Sequence, residues 1–362
     1  MQRRNFLASL GAFASAGSEM VTRALAEDNP AKNDAPEQNK RYRVIDTHVH
    51  LFNSRRMGSG GIPVLKYLSV DATIEGYVAA MRQGNVDKGF LITYNAEDVA
   101  PQLRNYKIDP AAVRLVYNTT YQLTALEQHP ELFWWFPEHI DPVRETYLED
   151  LEKNFERGAA GIKMMSVFHG YFPDHPAYIP VYEMCRKYKK PIIMDLSFWY
   201  LSTMPAMNEL EERRNRVHRF SDYAELLAPI FKQFSDIPIS LAHTGTALRV
   251  SDYDEIFPFI AQFPNLSCDV AAATGYSAEW LEKLVKAVGA GKIMYGTDWP
   301  YWASGVNSYL KGERRWTMIA DECPALGEEQ KRAILAGNAE RFVAYQMPAT
   351  IGSDGKESKR GS

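Results

Sequence analysis

The chain has 362 residues, 46% hydrophobic and 24% charged, an ordinary globular balance that excludes a disordered or fibrous polymer. Its 41 Lys and Arg against 45 Asp and Glu give a net charge of −4, and no dense basic run lies inside the body of the chain, so no nucleic-acid partner is expected. No stretch approaches the ~18–20 uninterrupted apolar residues that a bilayer span requires, which argues against stable membrane association.

Taken from the first residue, positions 1–26 read as an export signal. Arg3 and Arg4 start it, a mildly apolar run from Asn5 to Ala14 follows, and Ala24-Leu25-Ala26 offers a small-x-small cleavage pattern. Arg3-Arg4 followed by Asn5-Phe6-Leu7 resembles the twin-arginine signal, which predicts export to the bacterial periplasm in the folded state. Residues 27–41 hold almost nothing apolar and are expected to be a disordered spacer, as is the tail at 348–362. The folded domain is expected over 42–347.

That body repeats one theme: a short apolar run ends in polar residues, and a helical pattern follows. The runs are Arg43–Leu51, Lys88–Tyr94, Leu132–Asp141, Ala160–Ser166, Pro191–Ser197, Ile237–Gly245, Leu266–Ala272 and Lys292–Asp298. Between them lie amphipathic stretches at Thr73–Arg82, Glu145–Arg157, Val181–Tyr188, Tyr223–Phe234, Ile256–Phe263 and Ala278–Val288. Strands alternating with helices imply parallel units, and eight of them predict an α/β fold, a single-domain (β/α)8 TIM barrel. The competing open, doubly wound sheet lacks the glycine-rich phosphate fingerprint after its first strand. Cys185, Cys268 and Cys323 lie far apart, which excludes a disulfide scaffold and a cysteine-built zinc site and predicts buried apolar thiols.

In such a barrel the chemistry belongs at the C-terminal ends of the strands. His48, His50, Lys163, Asp195, His243 and Asp298 collect there, delivered by several independent strands. Asp46-Thr47-His48-Val49-His50 sets two histidines at i and i+2, which share one face of a strand. Two imidazoles with a carboxylate make an open-sided site for one divalent ion, zinc or a similar metal. Strand eight closes against strand one, so Asp298 would supply that carboxylate, unless it caps a following helix.

At these residues the chain resembles the amidohydrolase superfamily, and within it the amidohydrolase-related branch that includes metal-dependent aromatic-acid decarboxylases. The resemblance rests on Ile45-Asp46-Thr47-His48-Val49-His50, Gly161-Ile162-Lys163, Ala242-His243-Thr244-Gly245, Tyr295-Gly296-Thr297-Asp298-Trp299-Pro300 and the run Ile334–Phe342. It implies a metal held by His48, His50 and Asp298 that activates water, with Asp298 also shuttling a proton. His243 matches a strand-six histidine that binds metal or orients water, or else is a hydrogen-bonded core residue. The family's strand-five histidine is absent, and Asp195 stands there, either as an oxygen ligand that shifts the preference toward manganese or as an ion-pair partner of Lys163. Lys163 reads as a charge partner of Asp195 or of an anionic substrate.

Arg55 and Arg56, after strand one, could grip a substrate carboxylate or simply be solvated. Aromatic residues follow several strand ends: Phe168, Tyr171 and Phe172, then Phe198-Trp199-Tyr200, then Trp299, Tyr301 and Trp302. They suit a wall for a flat substrate, Trp302 included, or ordinary packing. His139 and His169 are further rim candidates. The leading expectation is a metal-dependent hydrolase of a small organic amide, ester or lactone. A decarboxylase of an aromatic or unsaturated acid and a non-catalytic exported binding protein are the alternatives. The expected partner is a small-molecule substrate, and a homodimer is the assembly left open.

Overall fold

The computed structural model describes residues 42–53, 71–93, 118–139, 145–166, 171–196, 219–247, 249–301 and 308–345. Within them run eight strands: β1 (Ile45–Val49), β2 (Lys88–Thr93), β3 (Phe133–His139), β4 (Ile162–Met164), β5 (Ile192–Met194), β6 (Ile239–Leu241), β7 (Leu266–Asp269) and β8 (Ile293–Met294). They pair in chain order, every neighbour parallel. A helix follows each of the first seven: α1 (Ile74–Gly84), α2 (Thr119–Gln128), α3 (Tyr147–Glu156), α4 (Ile179–Tyr188), α5 (Phe220–Gln233), α6 (Tyr253–Gln262) and α7 (Ala278–Val288). The molecule is a (β/α)8 TIM barrel. Among the described residues no helix is long and apolar enough to cross a membrane.

The ring closes through the segment beyond β8. Thr47 N–H donates to Tyr295 O at 2.9 Å, His50 N–H to Trp299 O at 2.7 Å, and Trp299 N–H to His48 O at 3.3 Å. The buried Asp46 carboxylate reinforces this seam. It accepts from Thr297 N (2.9 Å), Thr297 Oγ1 (2.5 Å), His48 N (3.1 Å) and Tyr309 OH (2.7 Å).

The helices form for local reasons that then serve packing. In α7, Ser277 accepts from Trp280 N to cap the first turn, and Trp280, Leu281, Leu284, Val285 and Val288 make one buried stripe. In α1, Thr73 caps the start and Asn85, at φ 53°, ends the helix in the left-handed region. Helical stripes and outward strand residues form the main core between ring and helices. A second cluster fills the inside of the ring: Ile45, Phe90, Ile92, Phe136, Ile193, Ala242 and Met294, with Ala336, Ala339 and Phe342 of the last helical segment. That apolar floor supports a polar layer above it. All three cysteines are buried and unbridged, as expected from the sequence.

Candidate metal centre

His48, in β1, and His50, just after it, reach the barrel mouth with the help of a register shift. Asp46 pairs with Gly89 and Val49 with Leu91, so β1 carries one residue more than β2 across that interval. An unbroken strand would put Asp46 on the same face as His48. The extra residue resets the alternation. Ile45 joins the interior floor, Asp46 turns away to the closing seam, and His48 and His50 face the mouth.

Each ring is fixed from behind. His50 Nδ1 donates to Ile92 O at 3.2 Å, His48 Nδ1 to the Asp269 carboxylate at 3.1 Å, and His243 Nδ1 to Ala271 O at 2.9 Å, assignments that follow from the acceptors available. The Nε2 lone pairs of His48 and His50 therefore turn toward Asp298, whose Oδ1 lies 3.7 Å and 3.3 Å away. Burial lowers the pKa of both rings, that of His48 further with help from the Lys163 charge, so both are neutral donors. Asp298 sits at φ 61°, a left-handed backbone that a non-glycine residue keeps only where its surroundings enforce it.

On the far side, fully buried Lys163 lies 3.2 Å from His48 Nε2 and 3.8 Å from Asp195 Oδ2. Asp195 Oδ1 accepts from Thr246 Oγ1 at 2.9 Å, and its Oδ2 lies 3.5 Å from His243 Nε2. Burial alone would lower the His243 pKa, but the hydrogen bond to Asp195 and the charges of Asp298 and Asp195 overcome it and raise the value to about 9. His243, Thr244, Gly245 and Thr246 all have positive φ, a left-handed turn that lifts the imidazole off the end of β6. Gly245 is the one residue there for which that backbone carries no Cβ penalty.

Asp269, at the end of β7, is the site residue that reading the sequence missed. It accepts from the His48 ring and, at 2.9 Å and 3.1 Å, from the backbone N–H groups of His243 and Ala271. Burial raises its pKa to about 6. The one available signal was its place: an acid ending a strand, like Asp195 after β5 and Asp298 after β8.

The donors of His48, His50 and Asp298 lie within 4.8 Å of one another, and so do those of His48, His243 and Asp269. The first set fits a divalent ion: two neutral imidazoles with tied Nδ1 atoms and a carboxylate. In the second set the ring nitrogens are otherwise engaged: His48 Nδ1 donates to Asp269, His243 Nδ1 to Ala271 O, and His243 Nε2 faces Asp195. Asp195 belongs to neither. The structure sets it against Lys163, Thr246 and His243 instead. Of the aromatic residues, Tyr301 meets His50 edge-on at 5.8 Å and packs against Phe52, while Phe172 packs on Tyr223 beneath the rim. His175 caps a short helical turn by accepting from Ala177 N. Arg55, Arg56, Phe168, His169, the run Phe198-Trp199-Tyr200 and Trp302 lie outside the described residues, as do the segments expected to be an export signal (1–26), a spacer (27–41) and a tail (348–362).

A family model described as amidohydrolase matches residues 45–344. A search of curated proteins finds no match to the sequence. Among solved structures, the chain is similar to an uncharacterised TIM-barrel protein from Bordetella bronchiseptica (TM-score 0.57, 14% identity, 84% of this chain and 99% of that one). It is also similar to a probable 2-pyrone-4,6-dicarboxylic acid hydrolase from Acinetobacter baumannii with citric acid bound (0.55, 14%, 84% and 100%). A third similar structure is 5-carboxyvanillate decarboxylase from Sphingomonas paucimobilis (0.53, 15%, 84% and 99%). At such identities these likenesses establish a shared fold.

Proposed function

The chain belongs to the amidohydrolase family, and from that premise we propose that it is a metal-dependent hydrolase of a small organic amide, ester or lactone. The observation that carries this reading is the triad of His48, His50 and Asp298, with donor atoms within 4.8 Å and both imidazoles neutral and braced through Nδ1. A divalent ion held there, zinc or manganese, would supply Lewis-acid polarisation of a carbonyl and activation of water.

The chain's own groups do the rest. Asp298 and His243 are the two members with exposed edges, at 12% and 14% of their side chains, against 0–1% for His48 and His50, so substrate meets these two first. The Asp298 carboxylate at that edge accepts a proton from the attacking water and returns it to the leaving group. The His243 ring is held through Nδ1 to Ala271 O, and its Nε2, 3.5 Å from Asp195 Oδ2, is the nitrogen that can turn to charge developing on a substrate oxygen. Phe52 and Tyr301 wall off one side of His50 and limit water there.

Decarboxylation is the second reading: the His243 ring keeps an exposed edge at the mouth, with Nε2 3.5 Å from Asp195 Oδ2, where a ring N–H can deliver a proton to carbon. Two measurements separate the possibilities. Metal per chain, by mass spectrometry of protein purified without chelator, is expected near one zinc or manganese in the wild type and lost in Asp298→Ala. A folded but metal-free wild type would sink the proposal. Product analysis with lactones, esters, amides and hydroxybenzoates is expected to yield hydrolysis without CO2, whereas CO2 release would establish the lyase reading.

A further inference from the structure

The lone pair that His48 would give a metal is already engaged. Its Nδ1–H goes to Asp269, and its Nε2 accepts from Lys163 Nζ at 3.2 Å. An ammonium has three donors and no lone pair, so Lys163 in this form cannot join a ligand set. Its charge also repels a divalent ion placed at the same nitrogen, strongly so in a site closed to solvent. The lysine nevertheless has a second partner within reach, Asp195 Oδ2 at 3.8 Å. Closing to a direct charge-assisted contact of about 2.8 Å needs a shift of roughly one ångström. Asp195 is held ready for it, because Thr246 Oγ1 fixes the other carboxylate oxygen at 2.9 Å. Thr246 does so from φ 58°, a costly backbone for a β-branched residue.

We propose that Lys163 is a tethered cation that competes with the metal for His48 Nε2, and that Asp195 is the carboxylate that draws it aside when the metal enters. The proposal rests on the metal centre described under Proposed function. It gives Asp195 a role other than ligation. The residue in the strand-five place then tunes metal occupancy by setting where the lysine rests, and the resulting site is an exchangeable one.

The test is the zinc affinity of the full chain, by competition with a chromogenic chelator, in wild type, Lys163→Met, Asp195→Asn and the double variant. Binding is expected to tighten about ten- to a hundredfold in Lys163→Met and to weaken about tenfold in Asp195→Asn. The aspartate substitution is expected to have no effect once Lys163 is gone. Unchanged or weaker binding in Lys163→Met overturns the competition. So does an Asp195→Asn loss that persists in the double variant, because that makes Asp195 a ligand. Asp195→Asn is nearly isosteric and reads the proposal by itself if Lys163→Met does not fold: unchanged affinity there overturns it. No zinc binding in the wild type or any variant overturns the metal centre itself.

Discussion

The Asp269 carboxylate accepts three hydrogen bonds, from the His48 ring and from the backbone N–H groups of His243 and Ala271, and so fixes the His48 ring and the turn that carries His243. Replacing it with asparagine keeps the volume but puts an amide N–H where the carboxylate received the His48 proton, which disfavours the tautomer that leaves Nε2 open. Zinc affinity in Asp269→Asn is expected to fall about ten- to a hundredfold while the far-UV circular dichroism stays unchanged. Chelator competition checks the first and spectroscopy the second. Only its place at a strand end marked Asp269 in the sequence, and a single acid there carries no spacing pattern. His48, His50 and Asp298 were legible because two histidines at i and i+2 and a carboxylate on the closing strand make a pattern with a geometric meaning. Asp46 departs from simple alternation: the register shift in β1 sends it to the seam, where Thr297 and Tyr309 take up its oxygens.

The apolar runs located all eight strands but overran their ends. Pro191–Ser197 contains a strand of only Ile192–Met194, and Asp195 stands just beyond it. Polar side chains with chemistry sit where the ladder stops, so a run that includes them is longer than the ladder. The helix α2 escaped notice for a different reason. Thr119–Gln128 buries only Gln122 and Ala125, too little for a periodic stripe, and it is set by the Asn118 cap and the contact of Gln122 Nε2 with Leu51 O. Close strand approach is equally invisible in a pattern. A Cβ on Gly161, at the foot of β4, would lie 2.4 Å from the Phe136 ring and 2.5 Å from Pro191 O. Gly161→Ala is expected to cost about 1–3 kcal/mol of unfolding free energy, measured by urea denaturation. A variant as stable as wild type would show that β3 and β5 can spread.

The barrel as a whole was readable because strand and helix signals alternate eight times, a rhythm few other architectures require. Where the chain is delivered is a separate matter from its fold. We propose that Arg3-Arg4 directs export of the folded chain. In a bacterial host, Arg3→Lys with Arg4→Lys is expected to leave the protein in the cytoplasm, checked by fractionation, and unchanged periplasmic recovery would refute the twin-arginine reading. The floor of the barrel adds a constraint of timing. Phe342 stacks on Phe90 and Phe136 from below, 6.4 Å and 6.3 Å between ring centres, and Ala336 and Ala339 complete the seal. These residues are among the last of the folded body to leave the ribosome, whereas Phe90 and Phe136 are among the first. Until synthesis passes Phe342, the inner rings of β2 and β3 face an open end, so the barrel is finished only after nearly the whole chain has been made.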